Sequence, residues 1–127
     1  MVKTLSPGAR PGNDELCSFR MLREAGLPAR GLEYAYTPHG GTMDAARQLG
    51  IPENTVIKTL VFTDQALAGP NAVIALMHGT RRVSLRKLER LAAAKHLRPC
   101  SPAEAEALTG LEVGGISPFG LEDRFMI

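Results

Sequence analysis

The chain has few cysteines, no metal-ligand spacing and no long apolar run. Its two cysteines, Cys17 and Cys100, lie far apart and form no Cys-x-x-Cys pair. That argues against a disulfide scaffold and fits the reduced thiols of a cytosolic protein. None of the three histidines, His39, His78 and His96, is paired with another ligand at zinc-site spacing, so neither a metal nor a cofactor is expected. No apolar stretch is long enough to span a bilayer. Met1 to Arg10 lacks the apolar core of a signal peptide, and a cytoplasmic location is expected. Internal repeats and low-complexity tracts are absent too.

What remains is the composition of one globular domain: 127 residues, 44% hydrophobic and 22% charged. Net charge is only +2, but it is unevenly placed. Between positions 81 and 98 stand seven cations (Arg81, Arg82, Arg86, Lys87, Arg90, Lys95, Arg98) and one acid, Glu89. That local +6 leaves the rest of the chain at −4. Such a stripe is either a solvated helix face or the footprint of a polyanion such as tRNA, with Arg81, Arg82, Arg86, Lys87 and Arg90 as the contacts.

Helices and strands alternate along the chain, which predicts an α/β class (mixed α+β) with a mixed sheet. Residues 1–12, with two Pro-Gly or Gly-Pro punctuations, read as a flexible lead-in. Asn13 or Asp14 can cap a first helix that Gly26 stops. Leu32 to Thr37 reads as a short strand carrying Tyr34 and Tyr36 on one face. Thr42 can cap a second helix ending at Gly50. Thr55–Thr63 is the strongest strand, a β-branched and aromatic run, and Ala72–Met77 is a second buried strand. Ser84 can cap a helix with Leu85, Leu88 and Leu91 inward and Arg86, Lys87 and Arg90 outward. A short strand is expected at His96–Arg98. Ser101-Pro102-Ala103-Glu104 is a capping box opening a helix that ends at Gly110. Val113 to Gly120 (VGGISPFG) must be a shaped loop or a sharply bent strand.

Two places stand out chemically. Lys58 lies within a strand that is apolar on both faces. Either its ammonium occupies a pocket at the strand mouth, holding a phosphate or carboxylate, or it snorkels to solvent. Gly114 and Gly115 let a ligand approach the backbone, whose N–H groups could bind a carbonyl oxygen or oxyanion, although a plain bend would use glycines equally well. Ser117 is no nucleophile elbow, because Pro118 follows it and has no N–H to offer an oxyanion. Tyr34 and Tyr36 could line a pocket or stack on a nucleobase, or be half-buried core.

Four segments, Ile57-Lys58-Thr59-Leu60-Val61-Phe62, Ala75-Leu76, Val83-Ser84-Leu85-Arg86-Lys87-Leu88 and Thr109-Gly110-Leu111-Glu112-Val113-Gly114-Gly115-Ile116-Ser117-Pro118-Phe119-Gly120, occur in the order found in the YbaK family. Across about residues 14–120 the chain resembles these free-standing aminoacyl-tRNA deacylases, which are related to the editing domain of bacterial prolyl-tRNA synthetase. The resemblance implies a barrel-like mixed sheet flanked by helices over residues 13–127. It also implies hydrolysis of mischarged tRNA such as Cys-tRNA(Pro) or Ala-tRNA(Pro), with tRNA and an aminoacyl-tRNA synthetase as the expected partners. Lys58, Gly114, Gly115 and Ser117 match the family's catalytic positions. Tyr34, Thr59, Ile116 and Pro118 match its substrate pocket. In cysteine-specific members the substrate's own thiol attacks, so no protein nucleophile is required. The family's domain runs on past this loop for two strands and a helix that carry an aspartate near the substrate. Asp123 does not replace that residue. From this and the apolar finish Phe125-Met126-Ile127, a shortened domain is expected, either pairing its open edge in a homodimer or only marginally stable. The competing expectation is a tRNA- or synthetase-binding module without turnover.

Overall fold

A computed structural model describes residues 17–64, 72–121 and 125–127. The lead-in, the first helix's cap at Asn13 or Asp14, and Asp123 lie outside the described residues. In chain order the elements are α1 (Cys17–Glu24), α2 (Gly41–Leu49), a 3-10 turn (Glu53–Thr55), β1 (Ile57–Asp64), β2 (Ala72–His78), α3 (Leu85–Ala92), β3 (Leu97–Pro99) and α4 (Pro102–Thr109). This is the α/β class the sequence predicts.

β1 is the central strand of a three-stranded antiparallel sheet of order β2-β1-β3. It pairs with β2 along almost its whole length, from Ile57↔His78 to Thr63↔Ala72. β3 reaches only the far end of β1, from Phe62↔Pro99 to Asp64↔Leu97. A parallel bridge joins Val73 to Met126, with Ile74 N donating to Met126 O at 2.9 Å.

Strand alternation sends β1 and β2 side chains into two cores, one on each face. Val61, Ala72 and Ile74 pack with Ala105 of α4 and with Leu121 and Phe125. Phe62 and Val73 pack with Leu97, and Leu88 and Ala92 of α3 close over them. Both faces of β1 are therefore covered where its apolar residues Leu60, Val61 and Phe62 lie.

The capping signals are obeyed closely at α4. Ser101 Oγ accepts from Glu104 N at 3.2 Å while Ser101 N donates to Glu104 Oε2 at 2.8 Å, and Gly110 ends the helix. Ser84 caps α3 through Lys87 N.

Four local expectations are corrected. Leu32–Thr37 forms no strand, because a side chain takes the role of its neighbour. Gln48 of α2 accepts from Ala35 N at 3.0 Å and donates to Ala35 O at 2.9 Å, satisfying one peptide from both sides. Thr42 does not cap α2. The helix starts at Gly41, and the Thr42 hydroxyl donates to Glu53 Oε1 at 2.8 Å instead. Leu91 is 78% exposed, and the inward face of α3 is carried by Leu88 and Ala92. Thr55 belongs to the 3-10 turn, so β1 begins at Ile57.

Candidate active site

Because β3 covers only the last residues of β1, the edge of β1 before Val61 faces no strand among the described residues. A cleft of about 620 Å³ opens along it. The start of α2 (Gly41, Thr42, Ala45) forms one wall and the Arg82–Leu85 segment another. Pro102 and Ala105 of α4, with Val113, Gly114 and Ile116 of the glycine loop, form the third. Its size lies within the range of small-molecule sites, and its surface is mostly apolar.

The peptide groups on this edge follow from the ladder. In an antiparallel strand a residue's N–H and C=O point to the same side, and sides alternate. Val61 O accepts from Cys100 N at 2.9 Å, so Val61 faces β3. Two residues back, Thr59 turns its peptide groups into the cleft. Thr59 therefore offers backbone as well as its side chain.

Among the described residues, Lys58 and Arg82 are the charged ones of the lining, and none brings it a carboxylate or an imidazole. Lys58 is half-buried, and its Nζ donates to Gly79 O at 3.1 Å. An ammonium has three donors, so this bond leaves two that can serve a ligand. Lys58 is part of the cleft lining, while the carbonyl that its ammonium rests on, that of Gly79, is not.

In the glycine loop, Gly115 N donates to Glu112 O at 3.0 Å, closing a turn. The Gly114 and Ile116 amides have no partner among the described residues, and both residues line the cleft. Gly114 has φ of 95°, a backbone that side-chain-bearing residues rarely adopt. A Cβ added there would lie 3.8 Å from Tyr36 Cε2, so the Tyr36 ring sits beside this amide. Ser117 Oγ accepts from Phe119 N at 3.3 Å, and Ser117 and Pro118 shape the loop without lining the cleft. Tyr34 stands outside the lining, 47% exposed.

The structure thus brings Lys58, Thr59, Gly114, Ile116 and Arg82 to one cleft. It leaves Tyr34, Gly115, Ser117 and Pro118 off the lining, and Arg81, Arg86, Lys87 and Arg90 exposed beside it. Sequence reasoning missed Thr42, Gly79 and Cys100. Cys100 carried no local signal. Its thiol lines the cleft, and burial, with the Glu104 carboxylate adding to it, pushes its pKa up, so it stays protonated. Gly79 was legible only as the glycine ending a strand. Among the described residues no group of His, Cys, Asp and Glu could hold a metal.

Fold and cleft together define a small α/β domain with an apolar ligand-sized groove, lined by a lysine and by backbone amides that have no partner among the described residues. Residues 37–127 match the family described as the aminoacyl-tRNA editing domain, and the chain belongs to that family. It is 30% identical over 109 residues to a protein of Enterococcus faecalis, EbsC, described as a candidate Cys-tRNA(Pro)/Cys-tRNA(Cys) deacylase. That match covers 85% of this chain and 65% of the relative. It is 33% identical over 101 residues to the proline–tRNA ligase of Oleidesulfovibrio alaskensis, covering 79% of this chain and 17% of the ligase. The chain thus spans less than two thirds of the length of these relatives. Among solved structures, a hypothetical protein, APE2540, superposes with a TM-score of 0.66 at 26% identity, covering 81% of this chain and 65% of that one. A structure described as a candidate trans-editing enzyme for prolyl-tRNA synthetase superposes at 0.57 with 30% identity, covering 69% and 53%.

Proposed function

We propose that this chain hydrolyses the ester joining a wrong amino acid to tRNA, with a small residue such as cysteine or alanine on tRNA(Pro) as substrate. The observation that carries this is the pairing, in one apolar cleft, of the Lys58 ammonium with the unpartnered amides of Gly114 and Ile116. An aminoacyl ester is already activated, so holding it in place and polarising its carbonyl supply much of the rate. Lys58 would hold an anionic group of the tRNA's 3′ end, and the two amides would take the carbonyl oxygen as it gains charge. Thr59 would orient the aminoacyl group. Water, or the substrate's own thiol when it is cysteine, attacks the carbonyl carbon and gives up its proton. The bond to the ribose oxygen breaks, and that oxygen takes the proton as the tRNA's free hydroxyl. Attack by water releases the amino acid, and attack by the thiol releases a cyclic thioester that water then opens. Arg82 lines the cleft, and Arg81, Arg86, Lys87 and Arg90 of the same segment are exposed, cations that would meet the tRNA body.

A second reading is a tRNA- or synthetase-binding module without turnover. The absence of any carboxylate or imidazole from the described lining favours it, since no protein group there can take a proton. Deacylation assays with a panel of mischarged tRNAs decide between the two. Release of amino acid above the spontaneous rate supports editing, and tight binding without release supports the module.

A further inference from the structure

Lys58 is not held by its own strand. Its ammonium donates to Gly79 O, 21 residues away in sequence, at 3.1 Å. Three pieces of chain fix that carbonyl: the first turn of α2, the 3-10 turn and the end of β2. Gly79 N donates to Val56 O at 2.8 Å, which sets the peptide's orientation. Thr42 Oγ1 lies 3.5 Å from Gly79 O and donates to Glu53 Oε1 at 2.8 Å. The hydroxyl has one proton. At these distances it goes to Glu53, and the bond locks the threonine against the glycine. His78 Nδ1 donates to Asn54 O at 2.6 Å, clamping the same 3-10 turn to the end of β2. The junction has no spare room, because a Cβ on Gly79 would lie 2.6 Å from Glu53 O and 2.9 Å from Thr42 Cβ.

We infer that Thr42 and Gly79 are positioning residues for the Lys58 ammonium, with the Gly79 carbonyl as its tether and the Thr42–Glu53 bond as the brace behind it. The inference rests on the editing reading for its effect on turnover, but the tether itself stands on geometry alone. A lysine on four rotatable bonds gains directional value only when one donor is anchored, because the others then point along defined lines into the cleft. Loosening the brace leaves the charge in the cleft and removes its aim.

The test is made on the full chain with two readouts. One is deacylation of alanyl- and cysteinyl-tRNA(Pro). The other is the NMR signal of the Lys58 side-chain ammonium, assigned by its loss in Lys58→Arg. Thr42→Val is expected to lower kcat by about tenfold, with KM changed by less than about twofold, since misplacement of a positioned group acts on the reacting geometry. It is also expected to shift the Lys58 signal. Thr42→Ser, which keeps the hydroxyl, restores both. Gly79→Ala, whose Cβ must displace the Glu53 backbone, repeats the loss and the shift. If Thr42→Val fails to melt cooperatively, Thr42→Ala, well suited to a helix, takes its place. An unmoved Lys58 signal in the hydroxyl-less variant, or failure of Thr42→Ser to restore it, overturns the inference. A wild-type chain without turnover on either tRNA overturns the editing reading instead, and the Lys58 signal still decides the tether.

Discussion

At the scale of single residues, the site divides into groups that carry charge and groups that shape backbone. Lys58→Ala removes an ammonium held in an apolar cleft, which costs about 2–4 kcal/mol of transition-state stabilisation if that charge grips the substrate. Turnover is expected to fall accordingly, with the thermal melt unchanged. Full activity in that variant would mean that the ammonium merely rests on Gly79. The cysteines point the other way. Cys17 is exposed and stands outside the cleft lining, and the Cys100 thiol is held protonated by burial in the cleft wall, so Cys100 is no activated nucleophile. Cys17→Ser and Cys100→Ser should both deacylate at close to the wild-type rate. A folded but dead Cys100→Ser chain would revive a thiol mechanism.

At the scale of elements, α3 and α4 carry the two clearest electrostatic features. On α3 and the turn before it, the exposed cations form the surface expected to meet tRNA, whereas Arg98 is engaged elsewhere. Its guanidinium makes a bidentate pair with Glu104, at 2.7 and 2.6 Å. Arg86→Glu with Arg90→Glu should flatten the fall of tRNA affinity with salt, because each lost phosphate contact removes counterion release. An unchanged slope would move the footprint off this face. The Arg98 guanidinium, followed by the Ser101 N–H, holds the Glu104 carboxyl at about 2, below its ordinary 4.5. A depressed folded-state value means the pair's stabilisation is fully present above about pH 4.5 and is lost as pH falls towards 2. Glu104→Gln should therefore melt below the wild type at neutral pH, with the gap closing through that acid window. A gap that persists at pH 2 would assign the loss to the capping box, not the charge. These helices were legible beforehand because each capping group acts within four residues of its partner: Ser84 on Lys87 N, Ser101 on Glu104 N and Gly110 N on Glu106 O.

At the scale of the whole molecule, the two cores are joined through β1 and closed from a distance. Phe125, 7% exposed, packs with Ile74, Val61 and Ala105, and the Met126 carbonyl pairs with Ile74 N. Phe125→Ala should cost about 3–5 kcal/mol by the cavity it leaves and lower the melting temperature by at least several degrees. A melt within a degree of wild type would show that this packing is dispensable. Composition, caps, turn residues and the Ile57–Phe62 and Thr109–Gly120 motifs were enough, from sequence alone, to specify the α/β class, most helix ends, both long strands and the editing-domain family. All of these rest on interactions between near neighbours or on motifs read directly. The cleft was not legible. It exists because β3 stops short along β1, a matter of register between segments some 35 residues apart. Nor was the fate of individual polar groups legible. Thr42 forgoes its cap for Glu53, Gln48 stands in for a strand beside Ala35, and Lys58 finds a carbonyl across the sheet end. A polar side chain takes whichever partner the packed chain brings within about 3 Å, and only the tertiary structure decides which partner that is.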